Sequence, residues 1–168
     1  MSAEAISLFI VTLPNSGVAV DRLDKEGIRG SETGLVHIDE AFVPDECLLG
    51  GEEGTYPVIL DSLSENRVGV AASALGIARG AFDEALAYAR EREVRGRPII
   101  EFQAVAHRLA DMSAEIEAAT WLVYHGAWCV DRGTLRDAHA AKVKLIASET
   151  ALRVTENAIR VLGGAGLM

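Results

Sequence analysis

The side chains able to do chemistry are few and widely spaced. His125 and Cys129 stand four residues apart in a helix-periodic segment, a spacing that could pin two metal ligands to one face. A structural zinc site takes four ligands. No second pair accompanies these two, and the other histidines are scattered, so no metal site is expected. Trp121, Tyr124 and Trp128 share a helical face, as residues do that pack in a core or against another helix. The stretch from Glu91 to Arg97 is charge-rich, which suits a solvated helix end. Gly163–Gly166 reads Gly-Gly-Ala-Gly but lacks the strand before it and the helix after it that a dinucleotide fingerprint requires. No Ser-His-Asp constellation can be placed from spacing alone.

The elements that must position these residues are of two kinds. Up to about residue 50 the chain reads as β. Ala5–Leu13 contains a short run rich in β-formers, and Pro14 to Gly17 make a turn. Val18–Val20 is a second strand candidate and Leu35–Val43 a third, with a turn or bulge at Asp39-Glu40. A few strands cannot make an independent domain, so they read as the end of a larger sheet. From about residue 55 the period lengthens. Tyr56–Arg92, Glu101–Arg132 and Arg136–Leu162 are long and helix-periodic. Their apolar stripes are Val68, Ala71, Leu75, Ala78, Phe82 and Leu86; then Phe102, Val105, Leu109, Met112, Ile116 and Val123; then Val143, Ile146, Thr150, Val154, Ala158, Val161 and Leu162. Gly96 with Pro98, Gly133, and Gly163-Gly164 are the expected stops. Short connections predict antiparallel neighbours.

Composition narrows the function. A net charge of −9 disfavours contact with nucleic-acid phosphates. Only 5% of residues are aromatic, and alanine-rich apolar content favours closely packed helices. Two distant cysteines, Cys47 and Cys129, form no disulfide framework, so a reducing cytoplasm is expected. The N-terminus does not read as a signal peptide, and no apolar run approaches the length needed to span a bilayer. By themselves these features describe a cytoplasmic three-helix array attached to a few strands.

Several motifs in order add a family. Asn66-Arg67 and the alanine- and glycine-rich stretch to Ala78, Ala87–Arg92, Gly96–Ile99, Glu101–Ala104 and Arg160–Gly166 together resemble the C-terminal domain of acyl-CoA dehydrogenases. Gly27–Thr33, Phe42–Pro44 and Leu48–Gly50 resemble the end of that family's central β-domain. The resemblance implies a mainly α chain: an up-down helical bundle with three of four helices, preceded by a partial antiparallel β-domain. The expected boundaries are 1–52 for the partial β-domain and 53–168 for the incomplete bundle. A fold so divided leaves an apolar stripe and sheet edges open, so the isolated chain is expected to be oligomeric, aggregation-prone or marginally folded.

The resemblance also implies a reaction. An acyl-CoA is dehydrogenated between Cα and Cβ to the trans-2-enoyl-CoA with FAD as cofactor, and electrons pass to an electron-transfer flavoprotein. The implied assembly is a homodimer or homotetramer, with no nucleic-acid or membrane partner. Ser64, Glu65, Asn66 and Arg67 match the family's substrate-contacting stretch. Arg92, Val94, Phe102, Gln103, Arg160, Gly163 and Gly164 match flavin-contacting positions, of which Arg92 and Val94 reach across a subunit interface. The usual catalytic base is expected beyond Met168. In a minority of members it stands at the position of Asn66, and Glu65, one residue away, is a weak substitute. The chain alone is therefore not expected to turn over substrate. Arg95 stands where the family usually has Phe and Arg160 where it usually has Gln; both bear on how strongly flavin is held. Two other readings are a non-catalytic subunit of a heteromeric enzyme and a helical interaction module without flavin.

Overall fold

The computed structural model describes residues 6–50 and 55–168. The chain divides into two compact units, one ending at Leu60 and the other running from Asp61 to Met168. The expected boundary after residue 52 falls outside the described residues, as does Ala5.

The first unit is built from short antiparallel pairs. Strand β1, Leu8–Phe9, pairs with β4, Leu48–Leu49, while β2, Val18–Arg22, pairs with β3, Gly34–Ile38. The apolar run near Leu13 yields only a two-residue strand. The third candidate ends at Ile38, because Asp39 and Glu40 bend the chain and Glu40 takes a φ of 47°. Thr55 is the only buried residue described in this unit. Its hydroxyl accepts a 2.9 Å hydrogen bond from the Leu8 amide. Phe9, Leu35, Val36 and Ile38 are exposed, so these strands hold together by backbone pairing with little apolar burial.

The second unit is the helical array. Helix α1 spans Tyr56–Glu91, α2 Gln103–Asp131 and α3 Asp137–Leu162. Contacts along their lengths give the direction. On α1 and α2, Val68 lies by Gly126, and Arg79 bonds Thr120. On α2 and α3, Gly126 lies by Val143, and Glu115 pairs with Arg153. In both pairs the numbers rise on one helix as they fall on the other, so neighbours are antiparallel and α1 and α3 run the same way. The core is Leu75, Leu109, Met112, Ile116, Val123, Val143, Val154 and Val161 among many alanines, Ala71, Ala78, Ala119 and Ala147 included.

Three details depart from the periodicity. Ile146 is 44% exposed, since the stripe it was assigned to turns at Val143, Ala147 and Thr150 instead. Trp121, Tyr124 and Trp128 are 70%, 57% and 52% exposed and take no part in this unit's core. Gly96 does not stop α1. That helix ends at Glu91, and the chain enters a two-residue hairpin in which β5, Glu93–Val94, pairs with β6, Arg97–Pro98. Its turn residues, Arg95 and Gly96, have φ of 55° and 78°, as this tight turn demands. Glycine meets that demand freely, and arginine does so at a cost. Gly133 and Gly163, with φ of 62° and 59°, do end α2 and α3.

The helices meet at Gly126. A Cβ there would lie 3.1 Å from Cγ2 of buried Val143 and 3.5 Å from Cγ1 of Val68. Alanine would gain about 1 kcal/mol of helix propensity and give back a similar amount in crowding. A larger side chain has no such offset. We expect Gly126→Leu to destabilise the chain by about 1–3 kcal/mol or more, read as a lower denaturant midpoint. An unchanged midpoint would mean the helices are not in contact there.

Candidate functional site

The antiparallel array places the sequence-matched residues at two ends. Near the start of α1, Ser64 and Arg67 are three residues apart and face the same way. The Ser64 hydroxyl donates to Oδ1 of Asp137 in the first turn of α3, and the Arg67 guanidinium lies 3.6 Å from the same oxygen. Ser64 is buried, so this hydrogen bond is worth about 1 kcal/mol. Arg67 and Asp137 are both substantially exposed, which holds their ion pair below about 1 kcal/mol. Glu65 and Asn66 are exposed, each about 100° further around the helix. The structure thus brings Ser64 and Arg67 together and leaves Glu65 and Asn66 apart from them. Asp137 was missed from sequence, because an acidic residue in a first helical turn is ordinary.

The remaining candidates gather at the opposite end, where α1 and α3 finish and α2 begins. Arg92 follows α1 directly and is exposed; its carbonyl accepts a 2.8 Å hydrogen bond from the Ile99 amide, which anchors the hairpin. Val94 is on the exposed hairpin strand. Phe102 is half-buried at the start of α2, and the Arg97 guanidinium covers its ring at 4.2 Å. Exposed Gln103 opens α2, whose first turn no side chain caps. Arg160 is exposed in the last turn of α3, held by Asn157 at 3.2 Å and Glu156 at 3.9 Å. Gly163 and Gly164 follow it, with nothing within 4 Å of where a Cβ would stand.

This donor set suits a dinucleotide flavin. Exposed guanidinium and carboxamide groups and an uncapped helix start offer donors to phosphate and ring oxygens, and paired glycines let a ligand approach the backbone. Of the two departures, Arg95 sits on the hairpin turn and Arg160 among the flavin-matched residues of α3; both add positive charge. A cavity of about 460 Å³ is lined by the segment from Arg22 to Thr33 and contains none of these residues. The exposed donors, and not that cavity, define the candidate site.

Comparison with known proteins agrees with the helical reading. Residues 53–168 match the family described as acyl-CoA dehydrogenase, C-terminal domain. The short-chain specific acyl-CoA dehydrogenase of Clostridium acetobutylicum is 38% identical over 164 residues, covering 97% of this chain and 43% of that protein. The structure of butyryl-CoA dehydrogenase from Megasphaera elsdenii superposes with a TM-score of 0.94 at 36% identity, over 99% of this chain and 44% of that one. A chain from a structure of the electron transferring flavoprotein of Acidaminococcus fermentans gives a TM-score of 0.93 at 40% identity, with coverage of 99% and 44%. The chain spans less than half the length of these relatives.

The cluster at the start of α1 makes a stability prediction. Asp137→Ala removes the shared acceptor of Ser64 and Arg67 and should cost about 1–2 kcal/mol in urea denaturation. Asp137→Asn keeps an acceptor and should cost less. Equal losses for both variants would show that charge, and not the Ser64 hydrogen bond, carries the contact.

Proposed function

The chain belongs to the acyl-CoA dehydrogenase family, and from that premise we propose that it forms part of an FAD-dependent enzyme that dehydrogenates an acyl-CoA thioester to the trans-2-enoyl-CoA. One observation carries the reading of how it does so. The residues matched to substrate and those matched to flavin lie at opposite ends of the helical array, and about 1.5 Å per residue puts roughly 37 Å between Arg67 and Arg92. The separation supports a composite site, in which Ser64 and Arg67 come from one copy and Arg92, Gln103 and the Gly163-Gly164 segment from another.

When bound, FAD would supply the acceptor for the β-hydrogen and its electron pair. The chain's own residues bind and orient. In this reading the Arg92 guanidinium holds the flavin pyrophosphate and Gln103 hydrogen-bonds the flavin. Gly163 and Gly164 admit the cofactor to the backbone. Arg67, steadied by Asp137, shapes the substrate-side wall of the site with Ser64. Removal of the α-proton is assigned to no residue of this chain. Asn66 has no carboxylate to act as a base, and Glu65 points away from the Ser64–Arg67 face.

Electrons then pass to an electron-transfer flavoprotein, and the working form is a homodimer or homotetramer. Cytoplasmic placement is supported by two free thiols, Cys47 and Cys129. No described helix is long and apolar enough to cross a membrane.

The test is flavin binding by the protein that contains this chain. Arg92→Ala should lower flavin affinity about ten- to a hundredfold, the effect of losing a charge-assisted contact to phosphate. Equal flavin content and affinity in the variant and the parent would remove Arg92 from the site.

A further inference from the structure

The end of the bundle that holds the Ser64–Asp137 contact also carries a donor cluster that the proposed reaction does not use. His125 and Cys129 lie one turn apart near the end of α2. The chain turns at Gly133 and brings His139, from the first turn of α3, against them. His125 Nδ1 is 3.0 Å from His139 Nε2, and the two rings meet edge to face with centroids 4.9 Å apart. Cys129 Sγ lies 3.9 Å and 4.0 Å from the two ring nitrogens of His125. One donor atom from each of the three residues falls within 4.8 Å of the others. On sequence spacing only two ligands were visible; the third comes from the next helix.

We propose that His125, Cys129 and His139 bind one zinc-class divalent ion, with solvent in the fourth position, and that the ion clips the last turns of α2 to the first turn of α3. Two imidazoles and a thiolate form a borderline-soft set that selects zinc over magnesium or calcium. Bonds of about 2.0–2.1 Å to nitrogen and about 2.3 Å to sulfur in a tetrahedron space the donors roughly 3.3–3.8 Å apart. The observed separations, 3.0 Å between the two imidazole nitrogens and 3.9–4.0 Å from Cys129 Sγ to the His125 ring, bracket that spacing. The ligands are held on both sides. The backbone carbonyl of Cys129 accepts the Thr134 amide at 2.9 Å, which fixes the turn into α3. Trp128 stacks on the His125 ring at 5.9 Å. Cys129 itself is buried, whereas His125 is exposed, so an ion can enter from solvent and bind with the thiol proton released.

Cobalt serves as the optical stand-in for zinc. The reduced protein is titrated with Co2+ while the thiolate-to-cobalt charge-transfer band and the ligand-field bands are recorded. The expected result is saturation at one ion per chain, intense tetrahedral bands, and their loss on adding zinc. Cys47→Ser should leave the spectrum unchanged, and Cys129→Ser should abolish the charge-transfer band. His125→Gln and His139→Gln should each weaken binding at least tenfold, with the helical circular dichroism of every variant retained. No thiolate band, a weak octahedral spectrum, or an affinity unmoved by both histidine variants would overturn the proposal.

Discussion

Alanine fills the contacts among the three helices and sets how closely α2 and α3 approach. Ala71, Ala78, Ala119, Ala140 and Ala147 are essentially without solvent exposure, and Gly126 brings α2 against both Val68 and Val143. A stripe of small residues lets backbones approach, and the larger Leu75, Met112, Ile116 and Val154 fill what remains. Dispersion and burial then favour one register over its neighbours. A slip of one turn would carry Val143 away from Gly126 and leave a void on one side with a clash on the other.

That register fixes everything polar. It sets Asp137 against Ser64 and Arg67 across the bundle, and His139 against His125 and Cys129 a few residues away. At the other end it groups Arg92, the hairpin, Gln103 and Gly163. Long straight helices keep these two groups apart. The proposal of a composite site rests on that separation. The hairpin that follows α1 adds local rigidity there, since the Ile99 amide is tied to the Arg92 carbonyl.

The sequence made the helices legible because burial along them is continuous. Val68, Ala71, Leu75 and Ala78 on α1, and Leu109, Met112, Ile116 and Val123 on α2, are buried as their spacing predicts. Ile146 failed because a 3.6-residue period lets two neighbouring positions compete for one face, and Ala147 fits the narrow contact better. The aromatic stripe from Trp121 to Trp128 lies outside this unit's core, because periodicity shows that a face is apolar without showing what covers it. Gly96 was read as a helix stop when its left-handed backbone serves a hairpin turn. The strands were harder, since two-residue pairings such as Leu8–Phe9 with Leu48–Leu49 depend on partners distant in sequence. The same limit hid Asp137 and His139: each gains its partner from another helix, and no spacing within one segment records that.

The claim that matters most is that one site draws on two copies of the chain. It can be measured by pairing Arg67→Ala with Arg92→Ala in the same assembly. Each variant alone should have low acyl-CoA dehydrogenase activity. In a hybrid, one interface would carry both lesions and the other neither, so activity should return towards half that of the parent. A hybrid no more active than its two components would contradict the account and place both arginines in a site made by a single chain.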